Sequence, residues 1–283
     1  ACGLKLFMMP PNRSINSNTD SESVDRLKAT QPVLFVSHGA PDLLFSPHPA
    51  ADALKRLGAS LQKPDAIICI SPHWQTSLLT LDRSDNTQTL YDFGGFDKRL
   101  YQFRYSAPGA PALAERVHNL LLSHDVPHRD QQRGLDHGAW VPLGLMFPQA
   151  DIPVLQCSLP RELDPEHYYL LGQQLGSLSH DNILILVTGG SVHNLRYLAP
   201  GDTQAPEWAS AFQNWLVEQL LAEQHQPMMH WRNQSPNAFM AHPTSEHLDG
   251  LWIALGAAKK KTPLVVYQGF DYGSLGMLHL RFD

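Results

Sequence analysis

The stretch AIICISPHWQT, Ala66–Thr76, decides the predicted fold. Its first five residues are apolar or small, and a Ser-Pro pair then leads to His73 beside Trp74. A strand that is apolar on both faces is typical of a parallel sheet covered by helices on both sides. Two further stretches repeat the pattern, because PVLFVSHGAP (residues 32–41) leads to His38 and NILILVTGGSVHN (residues 182–194) leads to His193. The recurrence predicts histidines at the ends of several buried strands.

Segments of helical length separate these apolar runs. A fourth run, IPVLQCSL, covers residues 152–159, and TPLVVYQGF near residues 262–270 is predicted as the last strand. The predicted helices cover residues 51–61, 111–123, 165–178, 207–223 and 245–258. Apolar strands that alternate with helices predict an α/β fold in which a mostly parallel sheet lies between helices. No linker rich in Gly, Ser or Pro divides the chain, so a single domain is expected.

Histidines at strand ends have a chemical consequence in such a fold. Ligands of open α/β sheets bind beyond the carboxyl ends of the strands, and His38, His73 and His193 all lie at that end. One such histidine would most simply be a neutral imidazole that closes a turn with a hydrogen bond. Three of them favour a metal site, since neutral imidazole binds zinc, iron, copper and nickel.

Two further stretches add candidate residues. GLDHGAWVPL (residues 134–143) carries His137 in what the glycines predict to be a loop, where an Asx turn is the simpler interpretation. PTSEHLDGLWIAL places Glu246 and His247 near the start of a helix. A structural role explains Glu246, since an acidic residue in the first turn stabilises a helix N-terminus. The same role explains His247 less well.

Composition excludes several classes of protein. The 283 residues are 43% hydrophobic and 17% charged, which is typical of a globular protein that buries a full core. The net charge is -6 and no basic block exceeds Lys259 to Lys261, so nucleic acid is not expected as a partner. No apolar run approaches the roughly 18 residues of a membrane span, and we expect a cytoplasmic protein that does not bind membranes. Residues 1–30 are polar without a sustained period and are predicted as a disordered or extended arm before a domain of residues 31–283.

Other chemistries lack their sequence signals. Three cysteines without a C-x-x-C pair exclude a cysteine-rich zinc cluster, whereas fifteen histidines point to imidazole chemistry. GGSVH departs from the nucleophile elbow G-x-S-x-G because His193 replaces the second glycine, so Ser191 is a poor nucleophile. No H-E-x-x-H, phosphate-binding loop or G-x-G-x-x-G stands between a strand and a helix.

Seven motifs together resemble a known family. They are SHGAP (37–41), SPHWQT (71–76), YDFGGF (91–96), YSAPGAP (105–111), LDHGAWVPL (135–143), GGSVHNLR (189–196) and GSLGML (273–278). In this order they resemble the class III extradiol ring-cleavage dioxygenases, and within that superfamily the 4,5-DOPA extradiol dioxygenase group, including its bacterial members. The resemblance runs from about residue 32 to the C-terminus.

The resemblance implies a three-layer α/β/α fold, one divalent metal ion, O2 and a small aromatic diol as substrate. The metal is zinc or iron, with Fe(II) expected for O2 chemistry. His38 and His73 match ligand positions, either His193 or His247 is the third ligand, and His137 and His193 match residues that handle protons. Arg196, Arg104 and Tyr272 are candidate contacts for a substrate carboxylate.

Two alternatives follow from the metal, since zinc has no redox chemistry. A zinc ion with the same histidines would favour hydrolysis of an ester or amide. A metal-binding interaction protein without turnover is the second alternative. Nothing in the sequence indicates the oligomeric state.

Overall fold

The sheet holds eight strands, and its four central strands are parallel. The computed structural model describes residues 29–202 and 204–283, so the predicted arm, residues 1–30, lies outside the described residues except for its last two. The strands are β1 (Val33–Ser37), β2 (Ala66–Thr76), β3 (Leu79–Asp82), β4 (His128–Gln131), β5 (Val154–Pro160), β6 (Ile183–Gly189), β7 (Leu264–Asp271) and β8 (Leu275–Phe282). Their order is β4-β3-β5-β2-β6-β1-β8-β7.

The direction of pairing agrees with the sequence pattern. Strands β5, β2, β6 and β1 pair in parallel, and every residue of β1, β5 and β6 is buried, as expected for strands covered on both faces. The antiparallel hairpin of β7 and β8 extends one side of the sheet, and β3 joins the other side antiparallel to β5. The prediction of a mostly parallel, mixed sheet is confirmed.

Helices cover both faces of the sheet. In the described residues they are α1 (Pro49–Ser60), α2 (Pro111–Ser123), α3 (His137–Met146), α4 (Pro165–Gly176), α5 (Glu207–Leu221), α6 (His225–Met229), α7 (Trp231–Gln234), α8 (Ala238–Ala241) and α9 (Glu246–Ala257). Alternate residues of β1 enter two different cores, since Val33 and Phe35 pack with α2, α4, α5 and α9, whereas Leu34 and Val36 pack with α1 and α3. The predicted three-layer α/β/α fold in one domain is confirmed.

Close backbone packing holds α9 against α4 and the sheet. A Cβ atom on Gly256 would lie 2.0 Å from the carbonyl oxygen of Tyr169, and one on Gly189 would lie 2.2 Å from that of His247. Only glycine permits such an approach. Glycine in β6 therefore brings the first turn of α9, which carries His247, next to the end of that strand.

Four elements differ from the sequence prediction. The glycine-rich stretch around His137 was predicted as a loop and is the helix α3, in which nine of ten residues are buried. Burial of apolar surface outweighs the low helix propensity of Gly138, Pro142 and Gly144. The stretch predicted as the last strand is β7, and a further strand, β8, follows it. The strands β3 and β4 have four residues each, which is too short for a recognisable alternation of apolar and polar residues.

None of the helices in residues 29–202 and 204–283 is long and apolar enough to cross a membrane.

Candidate metal and catalytic site

Three of the predicted histidines lie where the central strands end. His38 directly follows β1, and its backbone N–H donates to the carbonyl of Gly189 at 3.2 Å. His73 lies in the last part of β2, where the pairing register with β5 shifts. His193 follows β6, and its N–H donates to the carbonyl of Ala241 at 2.9 Å. The parallel strands thus bring residues far apart in sequence to one edge, as expected.

Two helix N-termini add further imidazoles at the same edge. His137 is the first residue of α3 and His247 is the second residue of α9. The ring centroids of His73 and His137 are 4.0 Å apart, and the rings of His193 and His247 stack at 3.4 Å with an interplanar angle of 7°. Five histidines therefore form one cluster.

Within this cluster, three rings are nearly equally spaced. The ring centroids of His38 and His73 are 4.8 Å apart, those of His73 and His247 are 5.1 Å apart, and those of His38 and His247 are 5.3 Å apart. The Nε2 atoms of His38 and His73 are separated by 3.2 Å. Two imidazole nitrogens bound tetrahedrally to one ion at 2.0–2.1 Å would be roughly 3.3 Å apart. The spacing of these rings suits a shared metal ion.

The hydrogen bonds of the Nδ1 atoms leave the Nε2 atoms of His38 and His247 as the nitrogens available to an ion. His38 Nδ1 lies 2.7 Å from the carbonyl oxygen of Gly39, and His247 Nδ1 lies 3.0 Å from Oε1 of Glu246. Both partners are acceptors, so each Nδ1 carries the ring proton and each Nε2 keeps its lone pair. His247 Nε2 is buried without a hydrogen-bond partner. A buried lone pair of this kind is the atom that a metal ion would satisfy, and the donor set fits such an ion.

Electrostatics keep these rings neutral. Burial, followed by repulsion from neighbouring imidazoles, lowers the pKa of His38 and His247 well below the usual value. Burial together with the charge of His137 lowers the pKa of His73 to about 4, and burial and His73 lower that of His193 to about 4. Because neutral imidazole is the form that binds metals, these rings can bind an ion at neutral pH.

Asp92 connects two of the imidazoles. Its Oδ2 lies 3.0 Å from Nδ1 of His137 and 3.8 Å from Nδ1 of His73. Burial raises the pKa of Asp92, but the contacts with His137 outweigh burial and hold it at about 2. The carboxylate is therefore charged at neutral pH and can stabilise a protonated His137.

The cluster opens into a cavity of about 330 Å³. Four of the five imidazoles line it, the exception being His247. Large apolar side chains form much of the rest of its wall, and these are Phe93, Phe96, Leu195, Leu198 and Leu275. Its volume and its apolar wall with a few polar groups are typical of a small-molecule site, and an aromatic ring fits such a surface.

A family model confirms the resemblance inferred from the motifs. The model for the catalytic LigB subunit of aromatic ring-opening dioxygenase matches residues 46–282. The chain belongs to this family. It is a metal-dependent extradiol dioxygenase, an oxidoreductase that opens an aromatic ring with O2.

Relatives match over most of the chain. A 4,5-DOPA dioxygenase extradiol from Beta vulgaris is 38% identical over 266 residues, which are 92% of this chain and 98% of that protein. A protein of the same name from Escherichia coli (strain K12) is 33% identical over 256 residues, 88% of this chain and 94% of its own length. The crystal structure of an uncharacterized protein from Escherichia coli K12 superposes with a TM-score of 0.74 at 29% identity, covering 89% of this chain and all of that one. The family fold therefore extends over most of the chain.

A buried carboxylate connects two of the elements that carry the histidines of this dioxygenase site. Asp136 is fully buried and accepts hydrogen bonds from Ser71 Oγ at 2.6 Å, Gln156 Nε2 at 2.7 Å and Arg133 Nη1 at 2.8 Å. Ser71 Oγ in turn accepts from the backbone N–H of His73 at 3.3 Å. Asp136 therefore ties α3 to the end of β2, between two histidines of the cluster.

Replacing Asp136 with alanine is expected to lower the free energy of unfolding by about 3 kcal/mol, because the nearly buried Arg133 guanidinium would lose its charged partner. Urea unfolding of the metal-free protein measures this loss without a contribution from ligation. Asp97→Ala is the control, since Asp97 pairs with Arg99 at the surface, where such pairs contribute about 0–1 kcal/mol. Equal unfolding midpoints for the two variants would contradict a role for Asp136 in holding the site.

The other candidates from the sequence have mixed outcomes. Arg196 and Arg104 are exposed, and Arg104 lies over the ring of Tyr91 at 5.1 Å. Neither lines the cavity, whereas Tyr272 does. Sequence reasoning missed the contacts made by Asp92 and Glu246, although the motif YDFGGF contains Asp92 and Glu246 directly precedes His247.

Proposed function

We propose that this dioxygenase opens the ring of a DOPA-like catechol and that His38, His73 and His247 hold its metal ion. The observation that carries the ligand set is the near-equal spacing of these three rings, with the Nε2 atoms of His38 and His73 3.2 Å apart. The names of the relatives support the substrate, since proteins named 4,5-DOPA dioxygenase extradiol match over most of the chain. His247 is favoured over His193 as third ligand because its Nδ1 is held by Glu246 and its Nε2 is buried without a partner.

Iron is the metal that we propose. When bound, Fe(II) would supply the redox chemistry that O2 requires and the positive charge that lowers the pKa of a catechol hydroxyl, whereas zinc would supply only the charge. A ligand set of neutral imidazoles leaves the dipositive charge of the ion uncompensated. Such a site favours a substrate that docks as an anion.

The side chains around the ligands supply proton transfer. His137 and His193 line the cavity beside the ligands, and the proposed role of both is to accept and return catechol protons. Asp92 contacts Nδ1 of His137, so Nε2 is the nitrogen that remains for the substrate hydroxyl. The charge of Asp92 stabilises the imidazolium that forms when Nε2 takes a proton.

The apolar wall positions the aromatic ring and excludes water. Phe93 and Phe96 meet at 5.6 Å between ring centroids with an interplanar angle of 90°, and Phe93 lies 5.8 Å from His137. A flat substrate bound at the imidazoles would pack against these rings. Cleavage beside the diol, with both oxygen atoms of O2 incorporated, would give a ring-opened muconic semialdehyde.

Oxygen consumption tests the proposal directly. The protein is stripped of metal, reconstituted anaerobically with Fe(II), and mixed with L-DOPA or catechol in aerated buffer. We expect O2 uptake with the appearance of a yellow ring-opened product, and neither with the zinc-loaded protein. Ester hydrolysis by the zinc form with no O2 uptake by the iron form would instead favour the hydrolase alternative.

Glu246 provides a test of the third ligand. Glu246→Gln removes the negative charge beside Nδ1 of His247, and changes at carboxylates that orient a ligating histidine typically weaken metal binding by about 10 to 100-fold. Competition with a chromophoric chelator measures the affinity. Glu207→Gln, in the exposed first turn of α5, is the matched control. An unchanged affinity in Glu246→Gln would argue that His247 does not bind the ion.

A cytoplasmic location is part of the proposal. Cys69 and Cys157 are buried and unpaired although they lie on adjacent strands, and this accords with a reducing compartment.

A further inference from the structure

The described wall of the catalytic cavity offers no lysine or arginine to bind a substrate carboxylate. Within residues 29–202 and 204–283, neither lysine nor arginine lines it. Besides the imidazoles, its ionisable or hydroxyl-bearing wall residues are Asp92 and Tyr272. Asp92 is a carboxylate held by His137, so among the described wall residues Tyr272 supplies the hydroxyl that can contact a polar side chain of the substrate away from the metal.

The hydroxyl of Tyr272 is restricted to accepting hydrogen bonds from the substrate. It donates its proton to Oδ2 of Asp42, a carboxylate that can only accept. Tyr272 lines the cavity, and its phenol oxygen has only lone pairs left to offer to a ligand bound there. Burial and the bond to Asp42 raise the pKa of Tyr272, so the phenol stays protonated and this polarity persists at neutral pH.

The backbone of Tyr272 keeps the ring in place. Tyr272 lies in the turn between β7 and β8 with φ of 47°, and its carbonyl accepts from the N–H groups of Ala199 at 2.8 Å and Ser274 at 2.9 Å. Its own N–H donates to Asp271 Oδ1 at 2.8 Å. Tyr272 also lines a second hollow together with Asp42, Asp202 and Asp271, and His48 is the one histidine among its lining residues in the described part of the chain.

We infer that the dioxygenase recognises its substrate through an ammonium group on the catechol side chain, which donates to the phenol oxygen of Tyr272 held by Asp42. This inference rests on the proposed function. An ammonium group has three donors and no acceptor, and it complements an oxygen that presents only lone pairs backed by a carboxylate. A side-chain carboxylate would meet lone pairs and negative charge. Catechol amines, and DOPA through its amine, are therefore the favoured substrates, and catechol acids are disfavoured.

Three catechols that differ in the charge of the side chain test the inference. They are dopamine, 4-ethylcatechol and 3-(3,4-dihydroxyphenyl)propionate. With the iron-loaded enzyme, we expect kcat/KM for dopamine to exceed that for the propionate by at least about tenfold, the ratio that one charge-assisted hydrogen bond contributes. Calorimetric titration of the zinc-loaded protein with the same compounds should give the same order of Kd without turnover.

Two variants test whether Tyr272 and Asp42 cause the preference for the amine over the acid. Tyr272→Phe should reduce the ratio of dopamine to propionate to within about threefold of unity, since it removes the accepting oxygen. Asp42→Asn should shift the ratio toward the propionate, because the amide can donate to the phenol oxygen and free the phenol proton. Tyr197→Phe is the control, since Tyr197 is half exposed on Trp208 and does not line the cavity.

The outcomes separate the inference from the proposed function. Turnover of 4-ethylcatechol with no preference for dopamine would overturn the inference and leave the proposed function intact. If both variants keep the wild-type ratio of dopamine to propionate, the inference is likewise overturned and the proposed function stands. Absence of turnover with all three catechols would overturn the proposed function and the inference with it.

Discussion

Replacing His38 with alanine is expected to remove both the bound metal and the oxygen consumption of the enzyme. His38 contributes a buried Nε2 that lies 3.2 Å from that of His73, and its Nδ1 is held by Gly39. Loss of this ligand leaves two imidazoles and an unfilled position. We expect metal binding to weaken by more than about 100-fold, because loss of a residue that only hydrogen-bonds to a ligand already weakens binding by about 10 to 100-fold.

Metal content after gel filtration and O2 uptake with L-DOPA measure the two effects. His73→Ala should behave in the same way. His124→Ala is the control, because His124 is exposed at the C-terminal end of α2. Retention of one ion per chain by His38→Ala would show that the metal lies elsewhere.

Replacing His137 with alanine is expected to separate the two effects. The proposed role of His137 is to move protons at Nε2 while Asp92 stabilises its charged form, so the variant should keep its metal. Turnover should fall by a factor of about 100 to 10,000, as is usual when a general acid or base is removed. The same metal analysis and O2 uptake, performed on a single preparation, measure both quantities.

The opposite result would reassign the ligands. One candidate ligand atom from each of His38, His73 and His137 lies within 4.8 Å of the others, so this trio also has the spacing of a metal site. Loss of the metal in His137→Ala would place His137 in the ligand set. His247→Ala would then be expected to retain the ion.

The strand-end histidines show what the local sequence can predict. Apolar runs predicted β1, β2 and β6, and parallel strands in an open sheet have their carboxyl ends on one edge. The sequence therefore predicted that His38, His73 and His193 would lie near one another, and the structure brings them together. Their roles as ligands or bases stay predictions until the metal is measured.

The helix α3 shows where local sequence fails. Gly138, Pro142 and Gly144 have low helix propensity, and the stretch was predicted as a loop. Nine of its ten residues are buried, and the apolar ones belong to one of the two hydrophobic cores. The burial of this apolar surface outweighs the low helix propensity. His137 consequently starts a helix, and Asp136 before it enters a buried network with Ser71 and Gln156 that sequence spacing does not reveal.

By itself the sequence determined the α/β class with its central strands and main helices, the edge at which the histidines gather, and the family. These follow from periodicity and from motifs that are local in the chain. Only the tertiary structure decided that Gly39 and Glu246 lie at Nδ1 of His38 and His247, that Asp92 contacts His137, and that Asp42 accepts the hydroxyl proton of Tyr272. Such pairings depend on backbone approaches of a few ångströms between segments up to 230 residues apart, and no local pattern encodes them.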